Sequence, residues 1–508
     1  MKYVVGIDEG TTGCKTCVFD EDGKVIGTDY REYPCYYPRP GWVEQTPEDI
    51  LPALFESCRS AVSRSGVAKE DIAAVALSTQ GSVTTLMDEN GELVRPFIGW
   101  QDIRGIEQIE GISQRIDVAD FYRIGGNQLG SVFTASKIDW VREHEPENFA
   151  RVAVISDHQD YFLRAFGAEG GFTDTCSASR YGTLDVDTSE WSERLNTAVG
   201  VPLDKLPTVV TEAGKVVGEI SARVAALTGL AEGTPLCLGA MDQNCSTLGG
   251  GGLRAGTAVM VLGTFGSCYV VSDKPLRDPL STLTVKPNHG VGNWTIEGFS
   301  NTAAASFRWY RDVFGDLEIA AGRALKRDPY DLITQAVSDV PPASNGVTFL
   351  PHLQGAAGAS PNPSAKGTFV GMTLATTKSD MARAVLEGIA FEMRDVLEAQ
   401  AKAGVEVRSV RLVGGAAKSP IWCQLLADVF ERPVELLQTS ETGCLGAALY
   451  AGTAVGVYPD VAAAVDHAVT VTETYQPDET AAPQYEKAFR RYQAVFDALT
   501  DTVFTSDF

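Results

Sequence analysis

Two aspartates, each closing an apolar run, carry the clearest chemistry in this sequence. Asp8 follows Tyr3-Val4-Val5-Gly6-Ile7 and opens the turn Glu9-Gly10-Thr11-Thr12-Gly13. Glycines in such a turn let main-chain amides close on a phosphate, and Thr11 and Thr12 add hydroxyl donors. Asp8 is then placed to hold Mg2+ directly or through water, because magnesium uses one or two carboxylates plus substrate phosphates. A turn-capping carboxylate is the other reading. Lys15, just past the turn, either offsets phosphate charge or is a solvated strand lysine. Asp242 closes the run Thr234–Met241 beside Gln243 and Asn244. A carboxylate there could accept the proton of a hydroxyl that attacks phosphorus, or serve as a hydrogen-bonded structural aspartate.

Other candidates surround these two. Gln80 and Gly81 end the apolar stretch Ile72–Leu77, and Trp100-Gln101-Asp102 ends another. Amide, carboxylate and indole groups together suit a polyhydroxylated ligand: hydrogen bonds to its hydroxyls, stacking on its C–H face. Trp100 taken alone reads equally as core. The segment Val410–Phe430 gives a strand, the turn Gly414-Gly415-Ala416-Ala417-Lys418-Ser419, and a helix with Pro420 at its first position and Ser419 as cap. Such a unit brings amides and a helix N-terminus to an anion or nucleotide, or is simple packing. The sequence contains no GxxxxGK[ST], HExxH or GxSxG, and no GxGxxG opens the first strand–turn unit. P-loop, zinc-peptidase, α/β-hydrolase and dinucleotide readings therefore lose their main support. The five histidines show no ligand spacing and receive no role.

The elements that must position these groups alternate between strand and helix. Tyr3–Ile7, Lys15–Phe19 and Lys24–Gly27 read as strands joined by the Gly/Thr turn and by Asp20-Glu21-Asp22-Gly23, two antiparallel hairpins. Pro47–Ser65 has helical spacing, with Ile50, Leu54 and Ala61 on one face. Near the midpoint, Thr257–Leu262, Gly263-Thr264-Phe265-Gly266-Ser267 and Cys268–Val271 repeat the strand–Gly/Thr turn–strand pattern about 250 residues after its first occurrence. We read an internal duplication: two α/β domains whose hairpin turns face one cleft. Gly249–Gly252 reads as an interdomain hinge. Met381–Lys402 is a long helix with an apolar stripe, and Gln484–Leu499 a helical tail.

Composition narrows the class. The 508 residues point to more than one domain. With 42 basic against 66 acidic side chains, the net charge of −24 opposes general nucleic-acid binding. No run of about 18 apolar residues occurs, so no membrane span is expected, and no apolar signal-type start precedes Asp8. The ten cysteines are scattered and fit thiols in a reducing cytoplasm. Cys14 and Cys17 form a CxxC, but in a strand the two side chains face opposite ways.

Taken together these motifs resemble the FGGY family of carbohydrate kinases, within the actin/hexokinase/Hsp70 superfamily. The resemblance runs over nearly the whole chain: Gly6-Ile7-Asp8-x-Gly10-Thr11-Thr12, the block Thr134–Pro146, Gly239-Ala240-Met241-Asp242, Gly263-Thr264-x-Gly266, Gly367–Met372 with Asp380–Glu387, and Gly414–Ser419. It implies two ribonuclease-H-like (actin-like ATPase) α/β domains around a central cleft. Residues 1–247 would bind the sugar and carry the first phosphate loop, and 248–508 would bind the nucleotide. It implies ATP and Mg2+, with Asp242 as catalytic base and metal-associated, Asp8 at the magnesium, and Gly10, Thr11 and Thr12 as first phosphate loop. Lys15 stands where glycerol kinases carry arginine, Gly263 and Thr264 match the second loop, and Gly414, Gly415, Ala416 and Ser419 the adenosine site. Gln80, Gly81, Trp100, Asp102, Asp242 and Gln243 are the substrate candidates.

Arg95–Arg104 and residues 122–186 are most similar to xylulokinases. The run Gln80-Gly81-Ser82-Val83 matches neither the xylulokinase Gln-Met-His-Gly nor the glycerol-kinase Gln-Arg-Glu-Thr. Lys286–His289 and Phe307–Asp312 are similar to the kinase of the furanone quorum signal. The expected reaction is phosphorylation of a small sugar or polyol. Glycerol, erythritol, ribulose and the furanone signal are the alternatives to xylulose, and a nucleotide-dependent binder or sensor is the rival of another class. The family's members are often dimers, so a homodimer is the expected assembly.

Overall fold

A computed structural model describes residues 2–505. Its first half builds a six-stranded sheet in the order Val216–Glu219, Pro235–Met241, Ile72–Thr79, Tyr3–Glu9, Gly13–Asp20, Val25–Glu32. The three N-terminal strands pair antiparallel, and Tyr3–Glu9, Ile72–Thr79 and Pro235–Met241 run parallel. The second half builds a seven-stranded sheet around Trp294–Ser300, Gly266–Ser272, Thr257–Leu262, Ser409–Gly414 and Val434–Leu437. Its first three strands again pair antiparallel and its next two parallel. Both sheets thus share one core order, third-second-first-fourth-fifth. The duplication read from two Gly/Thr turns is a duplication of the whole sheet, and the expected pair of ribonuclease-H-like α/β domains is present.

Local chemistry explains the elements. Pro47–Ser65 begins with Pro at its first position and acids in its first turn, ends at Gly66 with φ of 66°, and buries Ile50, Leu54 and Ala61. Lys378–Lys402 opens with a capping box between Thr377 and Asp380. An apolar stripe was expected along it, yet every residue from Ala382 to Arg394 is buried. The reason is its central place: helices Ala303–Phe314 and Pro420–Phe430 and the tail helix Ala482–Thr502 all pack on it. Its charged residues survive burial by pairing, as in Arg383 with Glu387 at 2.9 Å.

The junction between the two halves is close-packed, not the loose hinge expected at Gly249–Gly252. A domain boundary between residues 247 and 248 falls inside the helix Asp242–Gly249. The helix Thr442–Ala454, from the second half, lies on the first sheet against Tyr3–Glu9, Ile72–Thr79 and Pro235–Met241. Gly6 permits this: a Cβ there would sit 1.9 Å from the Cys444 carbonyl oxygen. The run Gly249–Gly252 is buried and close-packed, Gly249 against Thr442 and Gly250 against Val259, so its glycines serve close approach, not looseness. The CxxC behaves as expected of a strand: Cys14 joins the core with Ile7 and Leu54, and Cys17 the opposite core with Phe19 and Ala448.

Candidate active site

Strand register brings the two aspartates together. Asp8 pairs across with Ser78, and Ser78 in turn with Ala240, so the ends of three parallel strands lie side by side. Asp242 follows Met241 as the first residue of its helix. Ser78 donates its hydroxyl to Asp8 Oδ1 at 2.6 Å. The other face of the Asp8 carboxylate lies against Gly443 in the first turn of Thr442–Ala454, where a Cβ would come within 2.6 Å of Oδ2. Burial pushes the Asp8 carboxyl up to about 6, with Glu9 and Glu441 adding repulsion against the Ser78 hydrogen bond and Lys15. Burial likewise raises Asp242 to about 7, with the charge of Asp8 adding to it and the Gln243 amide and Lys286 opposing. The two half-buried acids stand close together with raised carboxyls, the charge of Asp8 opposing ionisation of Asp242, which marks the place as a candidate for chemistry.

A cavity of about 400 Å3 opens beside them between the two halves. Thr11, Gln80, Gly81, Trp100, Asp242 and Gln243 line it from the first half, and Phe265, Ser267, Thr284, Glu297 and Phe299 from the second. The Trp100 indole N–H donates to Thr11 Oγ1 at 2.9 Å, and its ring meets Phe265 edge-on at 6.2 Å across the cavity. Gln80 Nε2 donates to Glu9 at 2.7 Å and to Gln45 at 3.1 Å, which fixes the amide and leaves Oε1 without a partner. Gln243 Oε1 accepts from Lys286, whose ammonium also pairs with Glu297 at 2.6 Å.

The remaining candidates divide. Gly263 and Thr264 stand beside the Gly-Gly turn, because Leu262 pairs with Gly414 in parallel register. Gly414 has φ of 98°, and Gly415 and Ala416 begin a short 3-10 turn. Ser419 is occupied as helix cap, accepting from Trp422 N–H at 3.4 Å. Lys15 gives its ammonium to Glu441 at 2.7 Å, which ties the first hairpin to the second half of the chain. Asp102 is a correction. It is fully buried, receives the Val43 amide at 2.6 Å and both Arg104 nitrogens at 2.7 and 2.9 Å, and does not line the cavity. The Trp-x-Asp-x-Arg spacing is that of a bidentate ion pair bracing the Trp100 loop, not of a ligand contact.

Sequence reading missed Glu9, Ser82, Arg180, Lys286 and Glu297. Glu9 is fully buried and receives Gln80, Tyr33 and His158. Its position next to Asp8 was a signal, but strand alternation argues for only one of the pair facing the ligand. Arg180 and Glu297 belong to no motif read from the sequence, and only the fold brings them to the cavity.

Comparison with known proteins follows the same two halves. Residues 3–249 match the model of the N-terminal domain of the FGGY family of carbohydrate kinases, and residues 258–455 that of its C-terminal domain. A xylulose kinase of Bacillus subtilis (strain 168) is 29% identical, over 99% of this chain and 98% of that protein. A gluconokinase of Bacillus licheniformis is 28% identical, over 96% and 94%. The crystal structure of ligand-bound xylulose kinase from Lactobacillus acidophilus superposes with a TM-score of 0.89 at 26% identity, covering 99% of both chains. Matched in both halves and sharing this fold, the chain belongs to the FGGY family of carbohydrate kinases, phosphotransferases with an alcohol group as acceptor.

Proposed function

We propose that the protein transfers a phosphoryl group from ATP to a hydroxyl of a small sugar or polyol held in the cavity, with Asp242 as general base. The single observation that carries this is the meeting of Asp8 and Asp242, both with raised carboxyls, at adjoining strand ends beside the cavity and a Gly/Thr turn. Asp242 takes the proton of the attacking hydroxyl, and its carboxyl near 7 suits that task at neutral pH. The amides of Thr11, Thr12 and Thr264 orient phosphates, the Gly10 and Gly263 amides closing their own turns, while Gly414–Ala416 border the nucleoside. These residues act by positioning and charge stabilisation. Trp100 and Phe265, edge-on at 6.2 Å, bring one ring from each half to the cavity, where they can pack on the C–H face of the acceptor.

Asp8 and Asp242 fit a magnesium ion. They are neighbouring carboxylates, the charge of Asp8 opposing ionisation of Asp242, and the nearby cations are engaged, Lys15 by Glu441 and Lys286 by Glu297. Asp8 and Asp242 would hold the ion, and its chemistry there would be to offset phosphate charge. Asp8 binds, and Ser78 keeps its carboxylate turned toward the site.

A xylulose-type ketose is the first neutral candidate, on the similarity of segments 95–104 and 122–186. Gluconate enters through the name of a relative of equal identity. Residues 1–247 serve as the sugar side and 248–508 as the nucleotide side, with helix Thr442–Ala454 shared. The unpaired state of all ten cysteines supports a reducing cytoplasm, and a homodimer is the assembly to test by light scattering. The test of function is ATP consumption against a panel of ketoses, polyols and sugar acids. Sugar-dependent ADP release with an equal amount of sugar phosphate is expected. ADP release that ignores every acceptor would favour a nucleotide-driven binder and end the reading.

A further inference from the structure

Lysine and arginine are seldom buried without a counter-charge. Among the described residues seven are buried, and Arg95, Arg104, Lys286, Arg383 and Arg394 each form an ion pair. The two exceptions, Lys137 and Arg180, adjoin one residue of the cavity wall. Lys137, fully buried, donates to the carbonyls of Ser82 at 3.2 Å, Trp100 at 3.4 Å and Val132 at 3.0 Å. Arg180, 9% exposed, donates to Ser82 Oγ at 3.2 Å and Asn127 Oδ1 at 3.4 Å and lies over the Phe133 ring at 4.7 Å. Every one of these partners is neutral.

Two nearby acids are already paired, and Asp242, which lines the same cavity, forms no ion pair with either cation. Asp102 holds Arg104, and Glu297 holds Lys286. Burial pushes Lys137 down to about 7, and the charge of Arg180 adds to that, against Asp102. In a chain of net charge −24, one wall of the cavity therefore carries an arginine with no ion-pair partner, with a lysine behind it whose charge burial disfavours. Ser82 itself stands at φ of 61°, an uncommon conformation for a residue other than glycine, held by both. Arg180 faces the cavity, and its guanidinium presents a planar fork that matches a carboxylate.

We propose that the acceptor bears a carboxylate, bound by Arg180 at the Ser82 wall while a hydroxyl of the same molecule faces Asp242, so that the substrate is a sugar acid. Lys137 adds to that charge from behind Ser82 in its protonated fraction. This rests on the kinase reading above and narrows its candidates.

The test uses matched pairs that differ only in the oxidation of one end: glycerol and glycerate, erythritol and erythronate, xylitol and xylonate, sorbitol and gluconate. For at least one pair the acid should exceed its neutral partner in kcat/KM by about 10–100-fold, the range of a charge-assisted hydrogen bond. In Arg180→Met and Arg180→Lys that ratio should collapse toward one, more fully with Met. Neutral members that equal or exceed their acids in every pair would overturn the proposal while leaving the kinase intact, a result the unmodified protein alone can give. A loss in the Arg180 variants that is the same for acid and neutral acceptors would also overturn it, because Arg180 would then serve the phosphoryl group common to both. No acceptor-dependent ADP release from any member, ketoses included, would instead remove the kinase reading, and this inference with it.

Discussion

The two Gly/Thr turns occupy equivalent places in the two sheets, yet they are held very differently. The first is tied from several distant segments: Tyr33 N–H reaches the Thr12 carbonyl at 3.2 Å, Gln45 Nε2 the Thr11 carbonyl at 2.9 Å, and Trp100 the Thr11 hydroxyl at 2.9 Å. The second rests on the first turn of one helix, with Ala304 N–H at 2.9 Å from the Gly263 carbonyl and Ala305 N–H at 3.4 Å from that of Thr264. Thr264 and Phe265 are exposed. Both acids with raised carboxyls stand on the first side. The contrast teaches that the acceptor side is preorganised, while the second turn keeps freedom for its ligand to complete.

Removing the acid base should show the largest effect. Asp242→Asn is expected to fold normally by circular dichroism and to lose turnover by about 10²–10⁴-fold. Turnover within threefold of the parent would take Asp242 out of the mechanism and leave the first turn no more chemical than the second.

The pH response sharpens the same contrast. The folded protein holds the Asp242 proton more tightly than the unfolded chain, about 7 against 3.8. Stability must therefore fall as pH rises through that window, where the native state binds more protons. Asp242→Asn, which carries no such charge, should melt above the parent at pH 8 and alongside it at pH 4. Parallel melting curves at both pH values would show that burial of this acid carries no cost. The kcat/KM of the parent should rise with pH toward a limb near 7 as the base ionises.

Paired threonine variants test the turns themselves, with the smallest effects. Thr11→Val strips the Trp100 indole of its acceptor and should cost about 1 kcal/mol, or about 2–4 °C in a domain of this size, by calorimetry. Thr264→Val should stay within about 0.5 kcal/mol, since no side chain leans on it. Equal losses at the two positions would erase the difference between the turns.

Much of the fold was legible because its signals are local. Pro47–Ser65 and Pro420–Phe430 carry their own caps and spacing, and the observed helices coincide with the ranges read from sequence. Asp8 and Asp242 were legible as strand-end carboxylates. Asp102 misled because a carboxylate two residues from an arginine reads the same whether it meets a ligand or that arginine, and only burial separates the cases. The placement of Thr442–Ala454 on the first sheet was not legible, since its small residues suit any close neighbour and nothing local names which sheet that is.

By itself the amino-acid sequence determined the alternation of strands and helices, the two Gly/Thr turns and the acids that close their strands, because each depends on neighbours within a few residues. Tertiary structure alone decided which groups face the cavity. It set Arg180 and Lys137 on one serine without an acid and turned Asp102 away. Charge compensation is a property of space, and residues nearly a hundred positions apart, such as Ser82 and Arg180, meet only when the chain has folded.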